Sequence, residues 1–195
     1  MSKTTIPTGG IADDAINLTS KVTGTLPVAN GGTALTSGFT NGGGLTGVDM
    51  WRVTADFAGS VNPIASNLER CDETGFGKIG TGMTNSSGTF SFPATGFWMI
   101  RFTAFHYTDN SADYISIKIN TTTDNSTYAL VAQGIAQINA VDAFNQGTAA
   151  CILDVTDVST CKVRFETDHA DTSNKIRGQT GYNRSWFEFI RLGDT

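Results

Sequence analysis

The sequence predicts an all-β chain, an antiparallel sandwich or jelly roll preceded by an extended stalk rich in Gly and Thr. Three observations predict it. From Trp51 to the C-terminus, short stretches alternate apolar and polar residues, and a period of two turns one face of each strand onto a core. Turn-forming clusters separate them, among them Asn85-Ser86-Ser87-Gly88, Asp109-Asn110-Ser111 and Thr123-Asp124-Asn125-Ser126, and no convincing helix competes there. Composition divides the chain. Residues 1–47 hold 10 of the 22 glycines, four charges (Lys3, Asp13, Asp14 and Lys21) and one aromatic, Phe39. Residues 48–195 hold the other 18 of 19 aromatics and the whole net charge of −5.

Taken in chain order, the N-terminal segment has too few large apolar side chains to offset the entropy of ordering itself. It is expected to order against copies of itself or against a larger body. Its aliphatics are spaced through the segment: Ile6, Ile11, Ile16, Leu18, Val22, Leu26, Val28 and Leu35. Ile11, Ala15, Leu18 and Val22 have the spacing of one short amphipathic helix starting at Asp13 or Asp14, and Pro27 and Gly31-Gly32 end it. Asn41-Gly42-Gly43-Gly44 reads as a hinge. The expected division is therefore a segment over 1–47 and a head over 48–195.

Within the head, strands are expected at Trp51–Phe57, Phe76–Met83 and Thr89–Pro93. Phe97–Tyr107 is nearly all apolar at its start, which predicts a long strand covered on both faces. Tyr114–Ile119 alternates cleanly, and Tyr128–Ile138, Thr148–Thr156, Cys161–Glu166 and Ser185–Leu192 complete the set. Ala132–Asn145 has a loose helical period, but Gly134 and the β-branched residues favour strand plus loop. Thr148–Thr156 and Cys161–Glu166 are expected to form a hairpin turning at Asp157-Val158-Ser159, which offsets Cys151 from Cys161. With Cys71, the odd count of three suggests free buried thiols.

Two stretches resemble known families. Val22-Thr23-Gly24-Thr25-Leu26-Pro27-Val28-Ala29-Asn30-Gly31-Gly32-Thr33-Ala34-Leu35 resembles an element recurring in bacteriophage tail-fibre and related virion-fibre proteins, with Ala34 where Gly is usual. Gly88-Thr89-Phe90-Ser91-Phe92-Pro93-Ala94-Thr95-Gly96-Phe97-Trp98-Met99-Ile100 is similar to an element of the jelly-roll heads of complement globular heads and tumour-necrosis-factor-like ligands. In that family the glycine starts a long core strand, and an aromatic strand like Trp186–Leu192 closes the sandwich. Together the resemblances imply a homotrimeric virion fibre of the tail, assembled in the host cytoplasm. Ile6, Ile11, Leu18, Val22, Leu26 and Val28 would then attach it to other virion proteins. The head would bind a host-surface glycan or protein receptor, and a capsid-attached head fibre or decoration protein is the alternative. Loops on a rigid sandwich suit binding. The candidates lie in Tyr107 to Asp113 and Asp168 to Tyr182, namely Tyr107, Asp109, Asp113, Asp168, His169, Asp171, Arg177 and Tyr182.

Other chemistries find little support. Gly42–Gly47 and Gly75–Gly80 match G-x-G-x-x-G, yet neither lies between a strand and a helix, as pyrophosphate binding requires. The acidic balance argues against nucleic acid. No apolar run is long enough for a membrane span, and the polar start Met1-Ser2-Lys3-Thr4-Thr5 does not resemble a secretory signal. His106 and His169 lack second ligands at zinc spacing, and no nucleophile elbow or paired Cys and His occurs, so no enzyme and no cofactor are expected. Calcium remains open, because some heads of this fold carry it and Asp109, Asp113, Asp168 and Asp171 stand in loops.

Overall fold

The computed structural model of the protein describes residues 44–109 and 112–195. Ile6, Ile11, Leu18, Val22, Leu26, Val28 and the helix expected from Asp13 or Asp14 lie outside them, as do the side chains of Ala112, Asp113 and Ile138. Twelve strands follow in order: β1 Val48–Val53, β2 Phe57–Ala58, β3 Leu68–Arg70, β4 Thr84–Ser86, β5 Thr89–Ser91, β6 Gly96–Thr108, β7 Ala112–Thr122, β8 Ala129–Ile138, β9 Ala143–Val155, β10 Lys162–His169, β11 Lys175–Ile176 and β12 Trp186–Gly193. They make an antiparallel jelly-roll sandwich of two sheets, with no helix among the described residues. The first sheet runs β2-β11-β6-β12-β1-β3, with β9 on the free side of β6, and the second runs β4-β5-β10-β7-β8.

The alternation explains each layer. In β10, Val163, Phe165, Thr167 and His169 are buried while Lys162, Arg164, Glu166 and Asp168 are not. In β6, Trp98, Ile100, Phe102, Ala104, His106 and Thr108 point inward. Phe90 sits at the centre, its ring 5.2 to 5.8 Å from those of Trp51, Phe165, Phe187 and Phe189. Phe165 and Phe187 stack at 4.1 Å across the two sheets. These rings supply much of the apolar burial that drives folding. The turn joining β4 to β5 uses Ser87 and Gly88 at φ of 47° and 80°, the left-handed conformation a two-residue hairpin needs.

Among the described residues, Asp49 is the one buried carboxylate, and it is fully engaged. It accepts from the backbone N–H of Met83 at 2.7 Å, from Trp51 Nε1 at 3.0 Å and from Arg70 Nε at 2.9 Å. The long loop from β3 to β4 is thereby fastened under β1.

Three expectations are corrected. Phe76–Met83 is not a strand; only Ile79 bridges to Val48, because Gly80 and Gly82 adopt φ of 73° and 78° and interrupt any ladder. β9 and β10 are not a hairpin, since β9 pairs with β6 and β10 with β5 and β7, in the other sheet. The cysteines are free as expected, Cys71 and Cys161 buried and Cys151 half-buried, and burial pushes the Cys151 thiol up to about 11. Finally, β6 is covered on its inner face alone: Phe97 is exposed, and Met99, Arg101, Phe105 and Tyr107 are half-buried.

Candidate functional site

The outward face of the first sheet is unusual for a sandwich surface. Its registers align side chains in rows across four strands. Val48 lies opposite Ile190, Ile190 opposite Met99 and Met99 opposite Ile152, which makes one apolar row over β1, β12, β6 and β9. The next row holds Met50, Glu188, Arg101 and Ala150, with Arg101 and Glu188 ion-paired at 3.1 Å. The following row places Trp186 beside Thr103 and Thr148, whose hydroxyls meet at 3.2 Å. Arg52 closes the far side. It is fully buried under Glu69, Asp72 and Glu73, all three of which it contacts.

At the edge the apolar side chains are open. Ile152 is 62% exposed and Phe144 58% on β9, and Leu130, Val131 and Ile135 are exposed on β8. β9 pairs only with β6 and β8 only with β7 among the described strands, so two unpaired edges stand at one rim. Gly134 lets them come together there, because a Cβ on it would collide with the carbonyl of Thr148. An apolar surface of this extent beside open edges marks an interaction site.

One end of this face carries an aromatic and cationic cluster. Phe144 packs against Phe105 at 5.5 Å and Tyr107 at 5.1 Å between ring centres. Arg177 stands 5.2 Å and Lys175 5.7 Å from the Tyr107 ring. Arg184 lies over both Phe105, at 5.8 Å, and Tyr182, at 5.4 Å. Carboxylates hold the cations in place: Asp56 pairs with Arg177 at 2.9 Å and Asp109 with Lys175 at 3.1 Å. Tyr107 donates its hydroxyl to Asp142 at 2.7 Å, a bond that pushes the phenol above its ordinary value.

Four of the eight residues read from the sequence therefore belong to one neighbourhood: Tyr107, Asp109, Arg177 and Tyr182. Three go elsewhere. Asp168 faces outward from the second sheet and pairs with Lys118 at 3.1 Å. His169 turns inward and is buried. Asp171 accepts the backbone N–H of Ser173 at 2.7 Å, a bond that keeps its carboxyl below the ordinary range. Asp113 lies in β7, its side chain outside the described set. Asp109, Asp168 and Asp171 thus do not converge, and no group of three or more His, Cys, Asp or Glu side chains is gathered among the described residues. The described carboxylates do not fit a calcium cradle.

Sequence reasoning missed Phe105, Phe144, Ile152, Lys175 and Arg184. The signal was present in the outward positions of the long apolar strand, but which strand lies beside them is not local information.

No protein-family model matches the chain, and no curated protein matches it by sequence. Solved structures do match in fold. Eiger TNF from S. frugiperda aligns with a TM-score of 0.59 at 13% identity, over 76% of this chain and 93% of that one. Murine APRIL at pH 5.0 aligns with a TM-score of 0.56 at 9% identity, over 75% of this chain and 98% of that one. Murine APRIL at pH 8.5 gives 0.54 at 8% identity, over 75% and 98%. The head therefore has a tumour-necrosis-factor-like jelly-roll fold.

Proposed function

We propose that this chain is the subunit of a homotrimeric virion fibre, with residues 1–47 holding it to the particle and the head binding a host-surface glycan or protein. The observation that carries the reading is the apolar row Val48, Ile190, Met99 and Ile152 on the outward face of the first sheet, running across β1, β12, β6 and β9 to the exposed apolar residues of the β8–β9 rim. A monomer has no use for Ile152, Phe144 and Ile135 in water, and burying them between copies is favourable at roughly 25 cal/mol per Å². The tumour-necrosis-factor-like fold and the virion-fibre element at Val22–Leu35 support the same assembly. Weak contacts of one head would add up in a trimer through avidity.

The receptor contacts in this reading come from Tyr107, Asp109, Arg177 and Tyr182; Asp113, Asp168, His169 and Asp171 stand apart from that cluster. Aromatic rings beside guanidinium groups suit sugar rings and their polar rims. The reading is not enzymatic and requires no cofactor. The site of action is the virion surface, after assembly in the host cytoplasm. Because the apolar face alone accounts for trimerisation, it also favours a second reading, a capsid-attached head fibre or decoration protein in which the jelly roll drives assembly.

Light scattering of the purified chain tests the assembly. A mass three times the 20.6 kDa chain is expected, and a monomeric mass overturns the proposal. Particles lacking residues 48–195 are expected to assemble but not adsorb. Unchanged adsorption rejects the receptor role in favour of the second reading.

A further inference from the structure

His106 and His169 come from opposite sheets, on β6 and β10, and both turn into the core. His106 is wholly buried and neither of its ring nitrogens has a hydrogen-bond partner. His169 is better placed. Its Nδ1 lies 3.1 Å from the carbonyl oxygen of Asn174, which also accepts the N–H of Gly59 at 3.1 Å. That carbonyl can only accept, so Nδ1 carries the proton and Nε2 presents a bare lone pair to the interior. The side-chain amide of Asn174, fully buried nearby, is unpartnered at both atoms. Gly147 leaves room for the His106 ring, since a Cβ there would stand 2.9 Å from Nε2.

The groups around the pair supply neutral polar atoms, the open Asn174 Oδ1 and Ser173 Oγ beside His169, but no carboxylate bonded to either ring. Opposite His106 are Asn145 on β9 and Ile176 on β11, with Gly147 against the ring and Ile117 beside Gly147. Opposite His169 is Ile115 on β7, and its own turn supplies Ser173 and Asn174. None of these ionises. The neighbouring carboxylates are committed elsewhere, Asp168 to Lys118, Asp171 to the Ser173 N–H and Asp142 to Tyr107. The Asp168 charge favours a charged His169, but burial outweighs it, so both rings are held neutral and two imidazolium ions in this core would repel each other.

We propose that this buried histidine pair is an acid-operated release for the end of the head that carries Tyr107–Asp109 and Asp168–Tyr182. His106 directly precedes the first of these segments and His169 lies within the second, at its start, so expelling either ring frees the chain beside it. Burial, with a smaller contribution from His169, pushes His106 down to about 3, and burial lowers His169 as well, partly offset by its bond to the Asn174 carbonyl. The folded values lie below the unfolded value near 6.5. The closed state thus keeps its full stability above about pH 6.5 and loses it as pH falls toward the folded values. Each ring that must be neutral to stay buried makes opening about tenfold more favourable per pH unit, so two rings approach hundredfold. Carboxylates held low by hydrogen bonds, such as Asp124, Asp157 and Asp171, lose their contribution only below about pH 4. The window between pH 6.5 and 4.5 belongs to the histidines.

Hydrogen exchange on the full-length chain, corrected for the intrinsic pH dependence of the rate, tests this. Between pH 6.5 and 4.5 the protection of the Gly59, Ala170 and Arg177 amides, which bond to Asn174, Tyr114 and Phe105, is expected to fall at least a hundredfold. Protection at Trp98 and Phe189, nearer the start of β6, is expected to hold. His106→Phe, a neutral ring of similar size, is expected to flatten the dependence to that of His169 alone. Should that variant fail to fold, His169→Asn, which keeps a donor for the Asn174 carbonyl, provides the same comparison. Protection that stays flat in the unaltered protein overturns the proposal. So does an equal loss throughout the head, or an unchanged slope in the folded variant.

Discussion

Asp49 shows what a single side chain does here that its neighbours in sequence do not announce. It is 1% exposed and gathers the Met83 N–H, the Trp51 indole and the Arg70 guanidinium. Asp49→Ala is expected to cost about 3–5 kcal/mol, because it leaves the Arg70 charge and a buried N–H without partners. Urea unfolding measures it, and a loss below about 1 kcal/mol would mean water replaces the carboxylate. The same scale explains the dispersal of the acidic loop candidates. Asp168, His169 and Asp171 are neighbours in sequence, but β10 alternates through His169, so successive side chains leave on opposite faces. Sequence proximity grouped them; the pleat separates them. Tyr107, Arg177 and Tyr182, far apart in the chain, come together because β11 pairs with the end of β6.

Short strands matter at the scale of the element as much as long ones. β5 has three residues, yet it delivers Phe90 to the centre of the core. Phe90→Ala is expected to destabilise the head by about 3–5 kcal/mol, read by chemical denaturation. β9 predicts the opposite pattern. Ile152→Glu and Phe144→Glu change open positions on the outward face; each head should fold, Ile152→Glu with stability changed by about 0.5 kcal/mol or less and Phe144→Glu with a loss of about 1–2 kcal/mol, since it gives up the Phe105 and Tyr107 rings. Their expected effect is on assembly, a shift from trimer to monomer by light scattering. A trimer that survives both substitutions moves the contact to another face. The long strands were legible from alternation, including the strand-plus-loop reading of Ala132–Asn145, which becomes β8, a turn and the start of β9. β2, β3, β4 and β11 were not. Two or three residues carry no period, and such a strand exists only because a partner offers free backbone groups. Phe76–Met83 failed for the reverse reason, since its alternation is broken by two glycines in left-handed conformations.

For the whole molecule, acid is the condition that separates the parts. The carboxylates that pair with Arg and Lys on the surface contribute little each, whereas the two core histidines set the loss of closure between about pH 6.5 and 4.5. Residues 45–195 contain the complete core and form one compact unit. A fragment of these residues is expected to unfold cooperatively, with coincident transitions by tryptophan fluorescence and far-ultraviolet circular dichroism. Non-coincident transitions would show that the head depends on residues 1–44. By itself the sequence determined the all-β class, the division of composition and most of the long strands. These follow from a period of two and from where aromatic residues occur, both local properties of the chain. Only the tertiary structure decided which strands are neighbours. That choice lines up Val48, Ile190, Met99 and Ile152 into an apolar row across β1, β12, β6 and β9, splits β9 from β10 and turns His106 and His169 into the core from opposite sheets. Pairing across a sandwich joins residues distant in sequence, and no local pattern encodes that juxtaposition.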